Sequence, residues 1–259
     1  AAAWFARAAN EARERHAPDE AIQACEAAID TGALDPPALL AVLDDLSESL
    51  LIAARYDDAL RSTNEMYRLA VDLGDGHHRS IALLQQSHLH LRLGSPRRAL
   101  DAAEAAVEHA RRPDAGPGEE VQAATEVAWI LLRLGRAREA IEQGRSLLDS
   151  VDPTESRQAV RNLHGAVGAA HNVLGEYGAA DEQFRAALAL DRAQGDRRGE
   201  AADLINLGEA ARLRGDPAGA VARFEAALSI VRDIGDRDQE ALVLSNLGGA
   251  LLEIGSCDD

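Results

Sequence analysis

The sequence predicts an all-α solenoid, a stack of antiparallel helix hairpins with about thirteen helices, and three observations carry that prediction. Between Val160 and Gly255 the same residues recur forty positions apart: Val167-Gly168, Leu207-Gly208 and Leu247-Gly248; Ala180, Phe184 and Ala187 against Ala220, Phe224 and Ala227; Gly195-Asp196-Arg197 against Gly235-Asp236-Arg237. A fixed period of this size belongs to arrays of stacked supersecondary units rather than to a single globular core. Glycines suited to a left-handed helix stop fall at 94, 135, 175, 215 and 255. Finally, hydrophobic residues make up 46% of the chain and aromatics only 3%, a balance that suits Ala-rich helix packing and argues against an aromatic-cored β fold.

One array over residues 1–259 accommodates these signals as six hairpins and a lone helix. The first unit, about 1–35, pairs a helix marked by Phe5, Ala8, Ala9 and Ala12 with one marked by Ala21, Cys25 and Ala28, across the turn His16-Ala17-Pro18. The second, 36–76, carries Leu46, Ser47 and Leu50, turns at Ala54-Arg55-Tyr56 and ends at Gly74-Asp75. The third, 77–115, turns at Gly94 and places Ala99, Ala103 and Ala106 on its second helix; residues 112–118 then form an inter-repeat loop rich in Pro and Gly. The fourth, 116–154, turns at Gly135, carries Ala140 and Leu147, and runs out through Asp149-Ser150-Val151-Asp152-Pro153. In the fifth and sixth, 155–196 and 197–236, the repeat is clearest. From Glu200 to Arg214 the apolar positions Leu204, Leu207, Ala211 and Leu213 recur at helical spacing, Gly215 stops the helix, and Asp216-Pro217 reads as the cap and first turn of the next. Small residues at Gly208, Ala220 and Ala227 let the two helices approach while Phe224 fills the space between them. The lone helix, 237–255, would leave Leu247, Leu251 and Ile254 without a partner in its own unit, so the chain is expected to be a piece of a longer protein.

The order Leu-Gly, an apolar residue three positions on, Gly at the turn, then Ala, Phe and Ala resembles the tetratricopeptide repeat, strongly over 161–255 and more loosely upstream. That resemblance implies a right-handed superhelix. The common repeat has thirty-four residues; the forty seen here imply longer helices, similar to the arrays of kinesin light chains, bacterial peptide-pheromone receptors and STAND-class ATP-dependent regulators. The opening Ala3-Trp4-Phe5-Ala6-Arg7-Ala8 is similar to where STAND-type regulators begin their arrays. The function it implies is a protein- or peptide-binding sensor or scaffold segment of a larger bacterial signalling or transcriptional regulator. A structural module that self-associates through Leu247, Leu251 and Ile254 is the alternative.

Charge narrows the partners. All 27 basic residues are arginine, against 44 acidic residues, for a net charge of −17. No basic cluster longer than Arg111-Arg112 or Arg197-Arg198 opposes that field, so direct nucleic-acid binding is not expected. Neither a membrane-length apolar run nor a signal-peptide pattern is present. Cys25 and Cys257 lie at opposite ends of the array, and a cytoplasmic location with reduced thiols is expected.

No catalytic constellation emerges. Asp30-Thr31-Gly32 spells an aspartic-protease motif, but it occurs once and follows a helix; a Walker loop needs a lysine, and there is none. His88 and His90 point to different faces of one helix, His164 and His171 share a face that packs on their own hairpin, and His77-His78 sit in a loop with only Asp75 nearby. Neither metal nor cofactor is expected.

A binding groove remains. By resemblance, first-helix positions flanking the Leu-Gly pair form the concave wall. Carried onto this chain they include Asn10 and Arg13; Asp44, Asp45 and Glu48; Gln85, His88 and Arg92; Gln122, Glu126 and Trp129; Asn162; Asn206, Glu209 and Arg212; and Asn246. Asn is a poor residue for a helix interior because its amide competes for backbone hydrogen bonds, so Asn206 and Asn246, in register forty residues apart, call for a reason. In peptide-binding relatives an Asn there grips the ligand's main chain; a bond to a neighbouring helix is the structural alternative. Ala202 and Leu242 stand where a carboxylate clamp would need a basic residue. Trp129 serves equally as a hot-spot anchor or in packing between repeats, and Asp44, Asp45, Glu48 and Glu126 favour a basic peptide or helix.

Overall fold

The computed structural model describes residues 1–112, 116, 118–152 and 156–255, and within them forms thirteen α-helices and no strand. Most of the expected loop at 112–118, together with Pro153 and Cys257, lies outside the described residues. None of the described helices is long and apolar enough to cross a membrane. The chain divides into two compact units, Ala1–Ile130 and Leu131–Asp259.

In the first unit α1 (Ala2–Glu14) pairs with α2 (Pro18–Asp30), α3 (Pro36–Ile52) with α4 (Tyr56–Leu73), and α5 (Gly76–Arg92) with α6 (Pro96–Ala110), followed by α7 (Glu119–Arg133). The second begins its helices with α8 (Ala137–Leu148), then pairs α9 (Arg157–Val173) with α10 (Tyr177–Gln194) and α11 (Arg197–Leu213) with α12 (Pro217–Asp233), and ends in α13 (Arg237–Gly255).

One turn chemistry closes every hairpin. After the first helix of each pair, a residue with positive φ reverses the chain, and the next N–H donates to the carbonyl five residues back: Ser95 to His90, Glu176 to His171, Asp216 to Ala211. Glycine supplies the positive φ at 94, 135, 175 and 215, whereas His16 (57°) and Ala54 (58°) hold it in the first two hairpins, against the strain that a side chain meets there. Gly255, expected as a further turn glycine, is instead the last helical residue of α13. Gly-Asp pairs serve both sides of the opposite connections: Gly74 and Gly195 end α4 and α10 in the left-handed region, while the carboxylates of Asp75 and Asp196 accept the first-turn N–H groups of His78 and Gly199.

The hairpins close on small residues. In each second helix the first-turn alanine, Ala21, Ala59 and Ala99 in the first unit and Ala140, Ala180 and Ala220 in the second, is wholly buried. In the second unit the ring of Phe184 lies on Gly168 and that of Phe224 on Gly208 so closely that a β-carbon at Gly208 would stand 2.5 Å from the ring. Gly144 occupies the position forty residues before Phe184, and Val167 of α9 fills its place. In the first unit the positions with the same sixteen-residue spacing are Ser47 and Thr63, and Ser87 and Ala103, small residues that are all buried.

A charged contact that the repeat pattern does not announce joins α9, α10 and α11. Arg161 Nε donates to Asp191 Oδ2 at 3.0 Å, its Nη2 to the Gly199 carbonyl at 3.3 Å, and Asp203 Oδ1 lies 3.5 Å from the same guanidinium. Both aspartates are buried, so one cation faces two carboxylates. Burial pushes the Asp203 carboxyl up to about 8; Arg161 opposes the shift and Asp191 adds to it. α13 also differs from expectation. Leu247 and Ile254 are half-buried, Leu247 against the core of the second unit, and the exposed leucines are Leu242, Leu244, Leu251 and Leu252.

Two outcomes follow from this packing. Gly208→Ala lowers the melting temperature because overpacking, of order 1–3 kcal/mol, outweighs the roughly 1 kcal/mol of helix propensity that alanine adds. Gly165→Ala, with open space at its β-carbon, raises it; thermal melts that move in the same direction for both variants contradict this account. The second outcome concerns pH. A carboxyl whose folded value is raised gives stability that is complete below about pH 4 and is lost as pH rises toward 8. Asp203→Asn removes that loss, so its melting temperature gains on wild type between pH 5 and pH 8, whereas parallel pH profiles would contradict the assignment.

Candidate functional site

In the first unit, first helices adjoin one another directly, α1 beside α3 and α3 beside α5, so residues one repeat apart meet along a polar wall. Arg13 pairs with both Asp45 and Glu48. Gln85 donates through Nε2 to Asp44 Oδ1 at 2.6 Å and accepts from Ser47 Oγ at 2.5 Å. His88 Nε2 lies 3.1 Å from Glu126 Oε2, a contact that raises the imidazole above its ordinary pKa against the opposing effect of burial. The four acids expected to make this half of the wall negative are thus each engaged by a neighbouring repeat. Gln122 and Trp129 are exposed on α7, and Asn10 is exposed beside a cavity of about 500 Å³ bounded by Arg13, His16, Pro18 and Ile52.

His77 and His78 depart from the loop expected for them and stand in the first turn of α5. His78 Nδ1 lies 2.7 Å from the capping carboxylate of Asp75, and His77 Nδ1 lies 2.6 Å from Glu119 Oε1 on α7. His77, Ser80, Gln85, His88, Glu119 and Gln122 surround a cavity of about 230 Å³ whose apolar side is Ile81 and Leu84. Sequence reasoning reached Gln85, His88 and Gln122 and missed His77, Ser80 and Glu119. The forty-two-residue separation of His77 and Glu119, close to one repeat, was the available signal.

The wall in the second unit is built from α9, α11 and α13. Asn162 Oδ1 accepts from Arg161 Nη1 at 3.1 Å, which ties it to the buried aspartate pair. Glu209 receives Arg212 through two bonds of 2.9 and 2.6 Å, and Arg212 reaches Glu253 on α13 at 2.6 Å; both carboxylates hold the guanidinium firmly protonated. Asn206 and Asn246 are half-buried on α11 and α13, and among the described residues neither side-chain amide takes part in a hydrogen bond. His164 Nδ1 contacts Gln183 Oε1 at 2.8 Å within its own hairpin, and burial lowers its pKa. Among the described residues no three His, Cys, Asp or Glu side chains converge as a metal centre requires.

The family model for the tetratricopeptide repeat matches residues 159–233. No curated protein sequence matches the chain. Solved structures share its fold at low identity. BtubC from P. vanneervenii is 19% identical with a TM-score of 0.69, over 91% of each chain. A signal-transduction ATPase with numerous domains (STAND) from Pyrococcus horikoshii, described as having a tetratricopeptide repeat sensor, is 15% identical with a TM-score of 0.67; the match covers 96% of this chain and 41% of that one. The quorum sensor NprR from B. thuringiensis, in its apo form, is 12% identical with a TM-score of 0.68, covering 93% of this chain and 68% of the other. With its left-handed turns, buried first-turn alanines and Phe-on-Gly contacts, the chain has the helical-solenoid fold of tetratricopeptide repeats, and its residues 159–233 match that family.

Proposed function

We propose that the chain binds an extended peptide or protein segment along the polar wall of its first helices, as the non-catalytic sensor or scaffold part of a larger cytoplasmic bacterial regulator. The observation that supports this reading best is the pair Asn206 and Asn246. Each sits one position before a Leu-Gly pair, half-buried, with no intramolecular hydrogen bond among the described residues. A primary amide offers one acceptor and two donors, so each could hold one peptide unit of a ligand's main chain. Such contacts would be independent of the ligand's side chains and would repeat at the spacing of the array. The sensors among the similar structures favour the same reading, as does the polar lining of both walls.

Titration of the 259-residue chain with a library of twelve-residue peptides tests the proposal. Saturable binding that weakens at least tenfold in the Asn206→Ala/Asn246→Ala double variant is the expected result. Equal binding by the variant contradicts it. If no peptide binds and the mass rises with concentration, self-association through the exposed Leu251 and Leu252 of α13 becomes the better account.

A further inference from the structure

The cavity between α5 and α7 has features that a polar wall alone does not require. Its lining contains Ser80, only 2% exposed, whose hydroxyl is buried without a hydrogen-bond partner among the described residues. On the same cavity, Glu119 uses one carboxylate oxygen for His77, and the other, Oε2, is buried without a partner among the described residues. Buried polar groups cost free energy unless something satisfies them. Two such groups, one of them carboxylate, on one small cavity therefore describe the complement of a donor that carries positive charge.

Shape narrows the donor further. About 230 Å³ accommodates a single long side chain, and Ile81 and Leu84 give its methylenes an apolar surface. The imidazoles of His77 and His88 stand at the rim, 60% and 51% exposed, and no arginine lines the cavity. Glu119, Ser80 and the Gln122 amide are three separate hydrogen-bonding groups on the cavity, to which a planar guanidinium brings five N–H donors where an ammonium brings three. A chain with a net charge of −17 also draws a cationic ligand in and repels an anionic one.

We infer that the α5–α7 cavity is a side-chain pocket for an arginine of the bound peptide, with Glu119 Oε2 as the guanidinium acceptor, Ser80 Oγ as its neutral partner, and Ile81 and Leu84 along the stem. The inference rests on the reading that this wall binds peptides and specifies what the peptide must carry. It also locates a selective contact in the first unit, apart from the main-chain contacts proposed for Asn206 and Asn246.

The test compares two libraries of twelve-residue peptides titrated into the full chain, one with a fixed central arginine and one with citrulline, which keeps the shape and loses the charge. Expected are binding of the arginine peptides at least tenfold tighter than citrulline, loss of that difference in Glu119→Gln, and a smaller loss, about threefold, in Ser80→Ala. Far-UV circular dichroism identical to wild type shows that both variants are folded, and the arginine preference should shrink as sodium chloride rises from about 50 to 500 mM. Equal affinity for arginine and citrulline, or a folded Glu119→Gln that retains the preference, overturns the pocket while leaving the main-chain reading standing through its own asparagine variants. Absence of binding in both libraries overturns both.

Discussion

Close approach of two helices at a small residue is the constraint on which the rest of this structure depends. Each second helix enters its hairpin through an alanine with no accessible surface, and the pairs α9–α10 and α11–α12 go further, with a phenylalanine ring seated on a glycine of the facing helix. Such contacts gain dispersion energy only at short range and tolerate no extra methyl group. The space at each crossing is filled in one of several ways: Phe on Gly at 184 and 224, Val167 over Gly144, or paired small residues in the first unit. A small residue on at least one side of each of these crossings permits a close separation while the sequence drifts from unit to unit.

That separation determines what the first helices can do. Because each hairpin is closed by the same six-residue turn, first helices return to the same side of the stack, and residues about forty positions apart become neighbours within a unit. Arg13 with Asp45 and Glu48, Gln85 with Asp44, His88 with Glu126, and Arg212 with Glu253 are all products of that return. Exposed pairs of this kind add little stability individually. Their consequence is orientation: they hold long side chains in fixed positions and leave selected groups, the Asn206 and Asn246 amides and one oxygen of Glu119, without partners among the described residues. Unsatisfied polar groups on such a wall are where a ligand gains most.

Features legible in the sequence were those whose causes are local. Hairpin turns at Gly94, Gly135, Gly175 and Gly215, the cap at Asp216-Pro217 and the seat of Phe224 on Gly208 each follow from a few adjacent residues or a strict period. Long-range pairing was harder to read. Arg161, Asp191 and Asp203 occur on three helices, and only their packing shows that two carboxylates share one guanidinium; the clue was a charged Asp203 inside an otherwise apolar helical register. The His77–Glu119 contact escaped for the same reason, compounded by assigning His77 to a loop when Asp75 caps α5 just before it. On α13, the face inferred from Leu247, Leu251 and Ile254 holds at Leu251 only: Leu247 packs on the core of the second unit, Ile254 is half-buried, and Leu242, Leu244 and Leu252 are exposed with Leu251. Periodicity places a residue on a helix; its neighbours decide which way the helix faces.

Amide hydrogen exchange of the full chain, with and without a saturating peptide ligand, tests the central claim most directly. If the wall of first helices is the binding surface, protection rises in α5 and α7 or in α11 and α13, while the second helices α6, α10 and α12 exchange as before. Protection confined to the second helices, with the first helices unchanged, would contradict the account.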